Sequence, residues 1–322
     1  PLLIENEQDL IDLFGKPSNN DRQYEYWYTA SNYLQYGGVL RVVRADGANL
    51  VNANVGAIGV SSNATLKIKN FDDYQNNFED STAFRVAARQ PGSYANGLKV
   101  AYIDGAADQT LDVTPHAVDR VVVGQGVTQP ISGTLVGPGT TSTVDGYLQG
   151  IITGVGSSTI DVKVVNHVSA AGTIFPVDYT ENGLFQFSTA TKTSNTLPGP
   201  GLLVSSNAST IADPDAGIST CLSVFGVKDW YDNQFIQLSN GALPWKEIAE
   251  KPGTSGYTAA RNGKNDELHI VVIDDSGKIT GTQGAILEKF AFLSKADDAV
   301  NSFGSRVYYK DSIKERSNQI FV

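Results

Sequence analysis

Between residues 105 and 200 this chain nearly stops using charge: Asp, Glu, Lys and Arg fill 10 of 96 positions there, against 48 of 226 elsewhere. Residues 121–144 carry no charge at all, and Gly124, Gly126, Gly133, Gly137, Gly139 and Gly146 punctuate the region. Such a stretch has little with which to build solvated helices, and its glycines favour short strands joined by turns. Strands fit residues 120–123, 147–152, 159–165 and 184–188. In the third of these Ile160, Val162 and Val164 alternate with Asp161 and Lys163, which predicts one buried and one wet face. The expected architecture is an antiparallel β-rich barrel or sandwich module, folded independently and set on the outside of any assembly the chain forms.

The flanks read differently. A chain of 322 residues exceeds what one core usually organises, so two or three domains are expected. Residues 84–88 and 98–103 predict strands joined by a loop through Pro91, Gly92 and Gly97. Further strands fit 221–227, 235–238 and 268–273, the last with a hairpin turn at Asp275, Ser276 and Gly277. Ile286, Leu287, Phe290 and Leu293 follow a helical stripe that ends near Ser294. The turn-rich residues 198–217 read as a return connection over the surface. The fold class is therefore α+β and multidomain: a discontinuous mixed α/β sandwich domain, from 51–104 and 201–322, interrupted by the inserted β-rich module at 105–200.

Residues 1–50 predict part of a further α/β domain. Asn6 is placed to cap a helix bearing Leu10, Ile11, Leu13 and Phe14, which Gly15 and Pro17 stop. A second helix, with Ala30, Tyr33 and Leu34 on one side, ends at Gly37 and Gly38 before a strand over 39–43. Methionine is absent, and both ends are apolar, Pro1 to Ile4 and Gln319 to Val322. They read as strands cut from a longer chain, so a fragment is expected.

Candidate chemistry is sparse. With 34 acidic and 24 basic residues the net charge is −10, which opposes binding to nucleic acid or anionic membrane through a general field. No apolar run approaches the roughly 18 residues that a spanning helix needs. Cys221 is the one cysteine, so no intrachain disulfide can form, and its apolar surroundings predict a buried thiol. His116, His167 and His269 lie far apart, and His269, alternating with apolar neighbours, fits a sheet better than a catalytic base. Gly253 to Gly256 with Arg261 to Lys264 imitates a phosphate loop but lacks its order, so a plain loop is expected. Asp274 and Asp275 could join Asp297 and Asp298 around calcium, although such pairs usually stay solvated. Asn63 and Asn207 open formal glycosylation sequons without secretory context. No catalytic, cofactor-binding or metal-binding residues are therefore assigned. Tyr24, Tyr26, Trp27, Tyr28, Tyr33 and Tyr36 crowd one segment, where some must be core and others can form a packing surface.

Several segments carry a resemblance. The opening Asn6-Glu-Gln-Asp-Leu-Ile-Asp-Leu-Phe-Gly-Lys-Pro17, then Lys67-Ile-Lys-Asn-Phe-Asp-Asp-Tyr-Gln-Asn-Asn-Phe78, Ala88-Arg-Gln-Pro-Gly-Ser-Tyr-Ala-Asn-Gly-Leu-Lys-Val100 and Glu267-Leu-His-Ile-Val-Val-Ile-Asp-Asp-Ser-Gly-Lys-Ile-Thr-Gly281 resemble contractile bacteriophage tail sheath proteins of the T-even type. They stand in family order, with Tyr308-Tyr-Lys-Asp-Ser-Ile-Lys-Glu-Arg-Ser317 at the end; residues 105–200 contribute nothing to the likeness. The resemblance implies a virion structural protein without enzymatic activity, assembled in the host cytoplasm. Its partners would be further copies, in hexameric rings and a helical sheath, with tail tube and baseplate proteins. It implies no cofactor, no nucleic acid and no direct membrane insertion. The rival expectations are the sheath of a related contractile injection system and a β-rich carbohydrate-binding surface protein.

Overall fold

The structure, a computed structural model, describes residues 2–14, 23–43, 50–56, 62–112, 118, 121–137, 140–169, 171–176, 202–206, 212–213, 218–222 and 229–322. Strands β1 (Leu2–Ile4) and β2 (Leu40–Val42) pair antiparallel beside helices α1 (Glu7–Phe14) and α2 (Gln23–Gln35). Asn6 does cap α1. Its Oδ1 accepts the Asp9 amide at 2.8 Å, satisfying a donor that has no partner within the helix. Ile4, Leu10, Trp27 and Leu34 form a small core of their own. In α2 the buried stripe is Trp27, Ser31 and Leu34, at i, i+4 and i+7, while Tyr33 is exposed. The bulky indole takes the inner side, which rotates the helix away from the expected face. Gly37, at φ +80°, ends α2 by donating its N–H to the Leu34 carbonyl.

After β3 (Asn54–Val55), α3 (Phe71–Asn77), β4 (Val86–Ala88) and β5 (Leu98–Asp104) the chain enters its largest sheet. This comprises β6 (Gln109–Asp112), β7 (Gly126–Gly137), β8 (Thr140–Val155), β9 (Thr159–Val168), β10 (Ile174–Pro176), β11 (Leu202–Ser206), β12 (Ala212–Asp213) and β13 (Ile218–Leu222). The order is β10-β9-β8-β7-β11-β13-β12, with β6 sharing the outer edge of β9. Among the described residues it forms no closed barrel; the described strands within 105–200 pair antiparallel, as expected, and β11 runs parallel to β13 beyond residue 200. Of the expected strand at 120–123, the described residues 121–123 lead through a turn into β7, while residue 120 and the strand expected at 184–188 lie outside the described residues. The return connection supplies strands: β11 pairs with β7, carrying the sheet past Pro200.

The rest of the chain forms β14 (Phe235–Leu238), β15 (Gly241–Pro244), α4 (Trp245–Ile248), α5 (Gly256–Ala259), β16 (Glu267–Asp274), β17 (Ala285–Ser294), α6 (Tyr309–Arg316) and β18 (Ile320–Phe321). A central sheet, β17-β16-β5, and a smaller one, β18-β4-β3, join segments far apart in sequence. Between β16 and β17 the chain makes a ten-residue connection, 275–284, longer than the expected hairpin turn.

The helix expected over 286–293 is strand β17. Its register with β16 pairs Val272 with Glu288, Ile270 with Phe290 and Leu268 with Leu293, so the step between inward positions grows from two to three. Each bulge inserts one residue, and an inserted residue turns a period of two into an apparent helical spacing.

The central sheet is covered on both sides, which accounts for the unbroken apolar run in β16. Leu268, Ile270 and Val272 face Phe290, Leu293, Ile313 and Ile320. On the opposite face Val271, Ile273, Ala101 and Ile103 share one core with Leu148, Ile151, Ile160 and Val162 of the large sheet and with Trp230, Ile236 and Trp245. The β-rich region is therefore packed into the core of its neighbour, where an independently folded module was expected. The coarse class stands: an α+β chain of several sheets with helices around them.

Candidate functional site

The residues singled out by type are dispersed. His116 and Asn207 lie outside the described residues; His167 and Cys221 fall within β9 and β13, their side chains outside the description. Asn63 uses its carbonyl oxygen locally, accepting the Thr65 amide at 3.0 Å and hydroxyl at 2.9 Å. In the glycine-rich loop the Gly253 amide donates to Glu267 Oε2 at 2.8 Å, and Arg261 lies 3.5 Å over the Tyr257 ring. A carboxylate thus already occupies the place an incoming anion would need. The four aspartates do not converge. Asp274 holds the Ile279 and Thr280 amides, each at 2.8 Å, Asp275 holds Ser239, and Asp298 accepts the Tyr257 hydroxyl at 2.6 Å. Among the described residues no group of three His, Cys, Asp or Glu could hold a metal.

Three buried polar clusters stand out, and residue type alone pointed only to His269. Its ring is fully buried beside the β17 bulge. Burial pushes its pKa below the ordinary 6.5. Asp266 accepts from the Ser255 amide and hydroxyl, each at 2.8 Å, and from Ser294 Oγ. Burial alone would raise its pKa, but those bonds hold it below the usual carboxylate value. Lys163 is the third. Read as part of a wet face, it is wholly buried: Nζ lies 3.1 Å from Asp104, 3.0 Å from Asp108 and 4.9 Å from the centre of the Trp230 ring. The short-range alternation that placed it outside could not register the indole and the carboxylates that cover it.

The surface offers two features on a larger scale. A cleft of about 780 Å³ lies between the central sheet and β4, floored by Leu98, Val100, Tyr102, Leu268 and Ile270. Its rim charges are engaged internally, Lys295 with Asp104 at 3.0 Å and Arg85 with the Tyr102 hydroxyl at 3.1 Å. The other feature is α2, where Tyr26, Tyr28, Tyr33 and Tyr36 are 75, 51, 51 and 92% exposed. Beside it Leu3, Val39 and Val43 are exposed as well. A helix that shows this much aromatic surface, on a unit with so small a core, is suited to contact with another protein.

No helix among the described residues is long and apolar enough to cross a membrane. Comparison with family models, curated proteins and solved structures returns no significant match.

Proposed function

We propose that this chain is a structural subunit of a contractile phage tail sheath, which polymerises helically around the tail tube and contracts to drive the tube through the host envelope. The resemblance of its segments supports this reading, and the aromatic face of α2 is the structural observation that carries it. Head-to-tail contacts that do not close build a helical tube. Contraction then requires subunits that move as bodies while their interfaces exchange one arrangement for another. The driving free energy lies in the difference between those two sets of interfaces, so no nucleotide turnover, cofactor or metal takes part. Tyrosine suits such a surface because its ring packs against a neighbour while its hydroxyl stays hydrated.

Electron microscopy of the protein expressed at full length tests the reading. Tubes with a central channel are expected; discrete particles at every concentration would refute the sheath assignment. The triple variant Tyr26→Ser, Tyr33→Ser, Tyr36→Ser should lose the tubes while the dispersed protein melts at an unchanged temperature. Tubes that persist in it would remove α2 from the contact.

A further inference from the structure

Strand β17 leaves regular geometry where it passes His269. Phe292 sits at φ +56°, in the left-handed region that side chains other than glycine enter against a steric penalty. The bulge turns its N–H out of the ladder, and the N–H donates to His269 Nδ1 at 3.0 Å. The other ring nitrogen, Nε2, lies 2.7 Å from the Glu250 carbonyl and can only donate to it. Both contacts together require a neutral imidazole with its proton on Nε2. The Phe292 ring meets the imidazole edge to face, with centroids 4.7 Å apart.

The surroundings offer an imidazolium little. Glu267, on the same strand, directs its carboxylate to the Gly253 amide, and Lys289 of β17 directs its ammonium to the Ile248 carbonyl. The 249–250 connection presents the Glu250 carbonyl, while β5 sets Ile103 opposite His269 and Ala101 beside it. Among the described residues the ring's hydrogen bonds run to backbone groups, the Glu250 carbonyl and the Phe292 amide.

We propose that His269 is a proton-operated latch on β17: neutral, it pins Phe292 in the left-handed bulge, and protonated, it lets go. One solvent proton adds to the Nδ1 lone pair, no bond to carbon changes, and the Phe292 N–H is left facing another N–H. Without its acceptor the strained residue relaxes to extended backbone, which removes the bulge and shifts the end of β17 against β16. That end is tied onward. Ser294 donates its hydroxyl to Asp266, bonds the Val307 carbonyl through its amide at 2.8 Å, and bridges Tyr308 next to α6. Acid therefore loosens the junction between the central sheet and α6, whether or not the chain serves in a sheath.

Amide exchange and histidine NMR on the intact chain between pH 8 and 5 test the latch. Neutral His269 should show the Nε2–H tautomer, and Phe292 protection should fall about tenfold per pH unit once the ring titrates, while β5 stays protected. His269→Gln keeps one acceptor and one donor without titrating, so the pH dependence should vanish. Phe292→Gly, which adopts φ +56° freely, should blunt it and serves if the glutamine variant does not fold. Loss of Phe292 and β5 protection in one global step, or titration of His269 with Phe292 unchanged, would overturn the proposal.

Discussion

Single residues decide how the layers are joined. Lys163 links β9 to Asp104 at the end of β5, and Asp104 in turn holds Lys295 at 3.0 Å. Removing the ammonium leaves Asp108, itself nearly buried, without its countercharge, so Lys163→Met should cost about 3 kcal/mol or more in urea denaturation. An unchanged midpoint would show that the cluster relaxes into water. Acid should act in two steps. In the folded state His269 is held neutral by burial, so its contribution is complete above 6.5 and declines as pH falls below that value. Burial would raise the Asp274 pKa, yet the Thr280 and Ile279 amides hold it low, as the Ser294 and Ser255 bonds hold Asp266. What these carboxylates contribute is present above about 3.8 and is lost as pH falls through their lower folded values. A denaturation midpoint that is flat between pH 7 and 5 would contradict the histidine step. At the alkaline end burial, with Glu79 beside it, pushes Tyr74 up to about 12, so the stability it lends should fade as pH rises from 10 toward that value.

At the level of elements, regular periodicity was legible and interrupted periodicity was not. The predicted strand at 235–238 matches β14 residue for residue, and those at 98–103 and 268–273 lie inside β5 and β16, which pair with each other without a break in register. In β17 two bulges imitate a helical stripe, and only the register against β16 reveals the strand. Caps are local and so were readable at α1. At α3 the same chemistry recurs: Asn70 Oδ1 accepts the Asp73 amide at 2.8 Å, and Asp73 Oδ2 accepts the Lys69 amide at 2.9 Å. Asn70→Ala should therefore lower stability by about 1 kcal/mol in thermal denaturation, and Asn70→Asp by much less. Equal losses in both would mean that the cap is not what the side chain supplies.

For the whole molecule the consequence lies in the shared core. Val271, Ile273, Ala101 and Ile103 reach water if the large sheet is taken away, and Trp245, with no exposed surface, loses the strands it packs against. Replacing residues 105–200 by a short Gly/Ser linker should abolish cooperative melting in calorimetry, since the face with Val271 and Ile273 would lose Leu148, Ile151, Ile160 and Val162 and keep only the cover around Trp230, Ile236 and Trp245. A cooperative transition in that deletion would restore the separate module. Trp245→Ala in the intact chain should cost about 3–5 kcal/mol, and by this argument it should destabilise the large sheet and the central sheet together.

The sequence by itself determined what depends on neighbours a few positions away: the α+β class, the Asn6 cap, the regular strands, and the switch from charged flanks to a glycine-punctuated β region. Tertiary structure alone decided where that region ends, which face of α2 is buried, that Lys163 is inside, and that His269 meets Phe292. Each of these is settled by contacts between residues distant along the chain. Such contacts leave no period in the sequence, because a bulge, an indole or a carboxylate arriving from another strand changes the environment of a residue without changing its neighbours.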